Sequence, residues 1–458
     1  MSTNIQTNQI TEGIIWRQLL LFFFPILLGT FFQQLYNTID SVIVGQFVGK
    51  EALAAVGGSS AQIVAFVVGF FTGLSSGASV TIAQFFGAKD SRSANKGLHT
   101  AYAIAAFGGL ILTVSGIILT PFLLEMMNTP ADIVADSAVY LRIYFAGIIF
   151  VLIYNMGSAI LRATGDSKRP LYYLIVCCII NIVLDVLFVI VFHMGVMGVA
   201  VATLIAQAVS AVLVTLKLMR SEGILKLSVK QIRFHGSILK MQLKLGLPTG
   251  FEAILFSITN IAIQSAVNTF GTDTTAAWSA YGKLDAIFWM VSTAFGIAIT
   301  TFVGQNYGAG KMDRVRKSTR VCLLMDFIVS AVLVVFLIAA RFLLFRLFTN
   351  DSHVIEIGCD MLVLITPWYI VYVFIEVIAG ALRGVGNVVV PVAITLLGVC
   401  VLRIAWLAAM LKISPTISAI ILSYPVTWVI TALAFIIYYI YITHKTIAGS
   451  SKKHVPKL

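Results

Sequence analysis

The sequence predicts an all-α membrane protein: twelve transmembrane helices in two parallel-repeat six-helix bundles around a central cavity. Three observations lead there. Apolar residues make up 59% of the 458 residues and charged residues only 11%, where a soluble domain carries roughly 25% charged. The few charges collect between long apolar runs. The chain also repeats itself, half against half. Soluble, disordered and disulfide-scaffold classes are excluded by this composition and by five scattered cysteines.

A bilayer core of about 30 Å needs roughly 20 helical residues per crossing. Apolar runs between charged or Gly/Pro-rich breaks place six spans near 15–44, 52–80, 97–120, 133–160, 170–192 and 196–217. Six more follow near 245–268, 274–303, 319–341, 354–382, 389–411 and 416–442. The polar start, MSTNIQTNQITEG, has no basic segment, and the run after it continues through Gln33, Gln34, Asn37 and Asp40. The first span is therefore expected to be retained, not cleaved as a signal peptide.

The formal charge of +12 would suggest nucleic acid if it formed a patch. Instead, 24 of the 31 Lys and Arg fall in alternate loops and the two ends, among them Lys89, Arg92, Lys96, seven between Lys217 and Lys244, and five between Lys311 and Arg320. The opposite loops hold Lys50, Arg341, Arg346 and Lys412. By the positive-inside rule both termini are cytoplasmic, in a multi-pass protein of the cell membrane with lipid as its partner and no nucleic acid.

The repeat gives the domain plan. Leu161, Arg162, Gly165 and Pro170 recur 221 residues later as Leu382, Arg383, Gly386 and Pro391; Gln84, Gly87, Ala88 and Lys96 recur as Gln305, Gly308, Ala309 and Lys317. Pro25 and Asn37 match Pro248 and Asn260 at offset 223. Six spans per half start both halves on the same side, so the repeat is parallel. The expected division is an N-terminal bundle over 1–219, a basic cytoplasmic linker over 220–244, a C-terminal bundle over 245–445 and a cytoplasmic tail over 446–458. A closed core of this kind needs no second copy, so a functional monomer is expected.

Ionisable residues at membrane depth are functional candidates by default, because insertion costs about 2.5–3.5 kcal/mol each. Asp40, with Gln33, Tyr36 and Asn37 at i−7, i−4 and i−3, forms a polar stripe on span one. A solvated Asp40 at the interface is the bland alternative. Asn181 and Asp185 are i,i+4 on span five and share a face. Two carboxylates with amide and hydroxyl oxygens suit a proton or a small hard cation. Lys283 and Asp285 on span eight are i,i+2 and do not face each other on an ideal helix; pairing of Lys283 with Glu252 or Glu376 is the alternative, as a structural ion pair or a coupling element.

The loop QFFGAKD (84–90) with its twin QNYGAGK (305–311), the LRxxG loops, LYNTIDSVIVGQFVG (35–49) and NIVLDV (181–186) resemble the multidrug and toxic compound extrusion (MATE) family. The resemblance covers nearly the whole chain. It implies a secondary antiporter that exports drug-like, often cationic, organic compounds in exchange for inward H⁺ or Na⁺ by alternating access. It also implies an N-lobe cation site, carried here by Asp40, Asn181, Asp185 and Thr203. The family's C-lobe pair is matched poorly: Glu252 stands near the first position, the second falls near Tyr372, and the nearest acid is Glu376. A lipid-linked precursor flippase of related architecture is the alternative, although only Lys283 and Arg403 supply positive charge clearly within spans.

The remaining features carry less. Gly69, Gly73 and Gly77 on span two suit close helix packing. The cysteines lack CxxC spacing and the six His form no metal pattern. GQNYGAGKM (304–312) has the wrong glycine spacing for a nucleotide loop and Met312 where Ser or Thr is needed. The expected protein is not an enzyme, takes no cofactor, and draws on an ion gradient.

Overall fold

The computed structural model describes residues 10–450, with side chains to residue 444. The N-terminal nine residues and residues 451–458, most of the expected cytoplasmic tail over 446–458, lie outside the described residues. Among the described residues, twelve helices are long and apolar enough to cross a membrane. In chain order they are α1 Ile15–Phe47, α2 Lys50–Gly87, α3 Ser91–Met126, α4 Val134–Ala163, α5 Lys168–Val191 and α6 Gly195–Met219. The second half has α7 Gly236–Asn268, α8 Thr272–Gly308, α9 Met312–Arg346, α10 Ser352–Gly384, α11 Val389–Ile413 and α12 Ile417–His444. The chain is a multi-pass membrane protein.

All twelve spans fall where the apolar runs place them, but several helices run further. Span two ends at Gly87 instead of 80, span nine begins at Met312 instead of 319, and span seven begins at Gly236 instead of 245. Apolar-run counting stops at the first charge, whereas backbone hydrogen bonding continues through an amphipathic end. Lys240 and Lys244 therefore belong to α7 and not to an irregular linker.

The described residues pack as two compact units, Leu21–Phe251 and Glu252 onward together with the described residues up to Leu20. In the first, α4 is the central helix, packed on α2, α3 and α6; in the second, α10 packs on α8, α9 and α12 in the same order. The repeat extends to single hydrogen bonds. Ser79 Oγ donates to Ala159 O at 3.3 Å, and 221 residues on, Thr300 Oγ1 donates to Gly380 O at 3.0 Å. Gly165 and Gly386 both end their helices with positive φ, 97° and 87°, and their amides reach back to Arg162 O and Arg383 O at 2.9 Å each. A left-handed turn at that place favours glycine in both halves.

The QFFGAKD loop is a tight α2–α3 connection. Lys89 is left-handed (φ 58°) where its twin has Gly310 (φ 72°), and Asp90 Oδ1 accepts the Ser93 amide at 3.0 Å as the N-cap of α3. That hydrogen bond holds the Asp90 carboxyl below its ordinary value. The segment 221–235 is pinned to the start of α3: Asn95 Nδ2 donates to Ile224 O and Lys226 O at 3.1 Å each, and the Ser228 amide donates to His99 Nε2 at 3.0 Å. Residues 10–13 pack instead on α9, where Arg314 donates to Ile10 O, Glu12 O and Gly13 O.

Two helices come together through glycine. A Cβ on Gly73 would lie 2.4 Å from Gly250 N, and one on Gly77 would lie 2.4 Å from Gln242 O and Gly246 N. The α2 stripe thus seats the first turns of α7 backbone to backbone, and Gln242 Nε2 reinforces it by donating to Gly97 O at 2.9 Å.

Candidate ion-coupling site

Span five is not a regular α-helix throughout. It widens into a π-helical turn over Val186–Val191, directly after Asp185. Span eleven does the same over Leu396–Val401, two residues before Arg403. Such turns lose one register of backbone pairing and recur at functional positions. In each half, the buried ionisable residue of that span sits beside the turn.

The first unit gathers the N-lobe candidates. Asp40 is 8% exposed, Asn181 1%, Asp185 0% and Thr203 6%. Asp40 is therefore no solvated interfacial group. The Asp40 and Asp185 carboxyls are close neighbours, with the Thr203 hydroxyl beside Asp40. Six of their buried polar atoms have no hydrogen-bond partner among the described residues: Asp40 Oδ1, Asn181 Oδ1 and Nδ2, both carboxyl oxygens of Asp185, and Thr203 Oγ1. Buried polar groups are nearly always paired, so this concentration calls for a ligand, and the donor set of carboxylate, amide and hydroxyl oxygens fits a proton or a hard cation.

The polar stripe of span one divides. Tyr36 is buried, and its hydroxyl accepts from Gln207 Nε2 at 3.3 Å; Gln33 and Asn37 are exposed. Asn37 is thus not brought into the site, because i−3 from Asp40 lies just past the edge of the buried face. Two tyrosines that sequence reasoning missed complete the wall: Tyr140 and Tyr144 stack at 6.2 Å within Coulombic range of Tyr36. Gln207 was also missed, although its i,i+4 spacing from Thr203 could have signalled it.

In the second unit, Glu376 is paired with Arg383, Oε1 to Nη2 at 3.3 Å, and Glu252 lies near both and beside Thr395. Gly296 makes room for this carboxylate, since a Cβ there would stand 2.0 Å from Glu376 Oε1. Lys283 does not pair with Glu252 or Glu376; it is exposed, on the opposite side of α8 from buried Leu284 and Phe288. Arg383, two turns along α10, is the partner of Glu376 in place of Lys283.

Asp285 has a richer environment than its i,i+2 spacing from Lys283 suggests. Its Oδ1 accepts from the Tyr369 hydroxyl at 2.5 Å and the Tyr281 hydroxyl at 3.3 Å, and its Oδ2 from Trp289 Nε1 at 2.7 Å. Arg403 is 2% exposed, lies 4.0 Å over the Tyr424 ring and donates to Thr427 Oγ1 at 2.9 Å. Its guanidinium thus lies against aromatic faces and one hydroxyl, with Nε left without a partner among the described residues.

Comparison with known proteins identifies the family. The chain matches the MatE family over residues 25–187 and 248–407, one match per repeat. It is 30% identical over 401 residues to the probable multidrug resistance protein YoeA of Bacillus subtilis, covering 86% of each chain. It is 28% identical over 392 residues to the probable multidrug resistance protein NorM of Thermotoga maritima, covering 83% and 82%. Among solved structures it resembles a multidrug resistance MATE family transporter in an outward-facing conformation, with TM-score 0.89 and 20% identity over 99% of this chain and 100% of that one. A MOP superfamily transporter from Pyrococcus furiosus gives TM-score 0.90 at 20% identity, with the same coverage; at that identity both show the fold. The twelve spans, the paired six-helix repeat and these matches make the chain a member of the MatE family, the multidrug and toxic compound extrusion transporters.

Proposed function

We propose that the protein is a secondary active antiporter that exports drug-like, often cationic, organic compounds in exchange for inward H⁺ or Na⁺. It works as a monomer in the cell membrane, with both termini cytoplasmic. The observation that supports this most strongly is the set of six unpartnered polar atoms on Asp40, Asn181, Asp185 and Thr203. Relatives named as multidrug resistance proteins support the class of cargo.

Two adjacent carboxylates without a cation partner repel each other at short range. Binding one proton or one Na⁺ between them relieves that repulsion and supplies the missing partner for the orphaned oxygens. The site then differs in charge between loaded and empty states, and a cationic cargo senses the difference. A ligand drives alternating access only through its differential affinity for the inward- and outward-open states.

The flippase alternative is not favoured. A pyrophosphate headgroup needs a strongly basic cavity, whereas Arg383 is paired with Glu376, Arg403 lies against Tyr424 and Thr427, and the exposed Lys283 adds a single charge.

The test is dye transport by pure protein in lipid vesicles with a single imposed gradient and no nucleotide. A proton or a sodium gradient alone is expected to drive dye movement; failure of both contradicts antiport.

A further inference from the structure

The segment joining the two halves has an outer surface that the transport reading does not use. From Lys217 to Lys244 it holds seven Lys and Arg, and Glu222 is its one acid. Its inner side is a fitted seat within the first unit. Leu227 is 2% exposed, Leu225 and Ile232 pack against the same apolar core, and Ile224 packs with Phe85 and Ala94. Its outer side carries the exposed side chains of Lys226, Lys230 and Arg233, together with Val229 at 61% and Phe234 at 46% exposure. Among the described residues, Lys226 and Lys230 enter no ion pair.

The place of Phe234 decides what it faces. Its neighbour His235 is fastened to α3: the amide donates to Thr100 Oγ1 at 3.3 Å, and Nδ1 lies 3.1 Å from the same hydroxyl. The Phe234 ring meets the ring of Phe107 edge to face, with centroids 5.9 Å apart. Phe107 lies about two turns further along α3 than Thr100, roughly 10 Å at 1.5 Å per residue, and its side chain leans back toward the start of the helix. It opens a stripe of apolar side chains, Phe107, Ile111, Val114, Ile118 and Phe122, that are 49–69% exposed. Their i,i+4 and i,i+3 spacing puts them on one face, and on a membrane span an exposed face of this kind meets lipid chains. Phe234 extends that stripe at its linker end, with Lys226, Lys230 and Arg233 within eight residues of it in sequence. Aromatic rings settle at headgroup level in a bilayer, and Lys and Arg beside them reach the phosphates on long apolar stems.

We propose that this segment is a lipid-binding strap. Phe234 inserts at the edge of the leaflet on the linker's side, and Lys226, Lys230 and Arg233 hold the phosphates of anionic phospholipids there. The occupant is the bilayer itself, because the ring continues a lipid-facing stripe; a soluble partner would have to displace lipid to reach it. The strap needs neither antiport nor a particular compartment on that side, so it stands or falls apart from the transport reading.

Two measurements on full-length protein in lipid nanodiscs test it, neither involving a gradient. The first is power-saturation EPR of a nitroxide on Phe234→Cys, with Arg92→Cys in the first turn of α3 as the aqueous reference; the five native cysteines are buried. The label at 234 is expected to be relaxed more by oxygen than by a water-soluble nickel chelate, and the label at 92 the reverse. A label at 234 that meets the nickel chelate as freely as the one at 92 overturns the strap. The second compares binding of spin-labelled phosphatidylglycerol and phosphatidylcholine to wild type and to Lys226→Gln/Lys230→Gln, which alters only exposed side chains outside any ion pair. The preference for phosphatidylglycerol is expected to fall severalfold, up to about fivefold for each charge removed. An unchanged preference overturns the strap as well, and this result does not depend on the folding of Phe234→Cys.

Discussion

Glu376 and Arg383 stand 3.3 Å apart, two turns along the same helix, and hold the C-lobe's central charge. Both side chains are only about one-fifth exposed (20% and 18%). A hydrogen bond to a charged group in such a place contributes about 1.5–3 kcal/mol. Glu376→Gln is expected to lower thermal stability in detergent by that order, and Arg383→Met to cost at least as much, because it leaves Glu376 beside Glu252 without a counter-charge. Lys283→Met is expected to leave the melting temperature unchanged. A melting curve in which Lys283→Met costs as much as Arg383→Met contradicts the pairing.

The backbone seat of α7 on α2 gives a second expectation. A methyl group at Gly73 meets Gly250 N and Cα, which are backbone atoms that cannot rotate away. Forcing such a contact typically costs about 1–3 kcal/mol. Gly73→Ala is expected to reduce stability by that amount, whereas Gly57→Ala, which meets nothing within 4 Å, is expected to be neutral or stabilising. Equal melting temperatures for the two variants contradict the close approach.

Orientation is checked by labelling single introduced cysteines. The five native cysteines are all buried, so background reaction with a membrane-impermeant reagent is low. Arg92→Cys and Asp313→Cys are expected to label only from the cytoplasm, and Ala131→Cys and Asp273→Cys only from outside. The reversed pattern contradicts the orientation read from the basic loops.

Asp40→Asn and Asp185→Asn are each expected to abolish ion-driven transport while the protein remains folded and inserted. Asparagine keeps the size and hydrogen bonding but cannot alternate between charged and neutral forms. Because the two carboxylates lack cation partners, replacing either removes unfavourable charge, and the melting temperature is expected to equal or exceed wild type. Wild-type transport rates in both variants contradict the site.

The spans and the repeat were legible because a bilayer imposes them: each crossing must be about 20 apolar residues, and positions such as Gly165/Gly386 recur where the backbone needs a left-handed turn. Helix ends were not, since the charged first turns of α7 look like linker in one dimension. Asp40, Asn181 and Asp185 were singled out by their place on the helices and Thr203 by family resemblance alone, and all four are buried in the structure. Tyr140, Tyr144 and the Asp285 box escaped because their neighbours come from other helices, and no periodicity within one helix encodes that. Buried Asp326 escaped for a different reason: its span reads as one long apolar run, yet an acid inside LLMDFIVSAV was itself sufficient signal.

The central claim is that ion and drug compete through the N-lobe carboxylates, and the most direct measurement is binding of an ethidium-type dye to purified protein. Dye affinity is titrated across pH, and across Na⁺ at fixed ionic strength, in wild type, Asp40→Asn and Asp185→Asn. Linkage requires that whatever factor the ion imposes on the dye, the dye imposes on the ion. The account predicts dye affinity weaker by about 5–150-fold at saturating H⁺ or Na⁺, corresponding to a typical coupling of about 1–3 kcal/mol, with that dependence lost in both variants. A wild-type dye affinity indifferent to both ions contradicts the competitive mechanism.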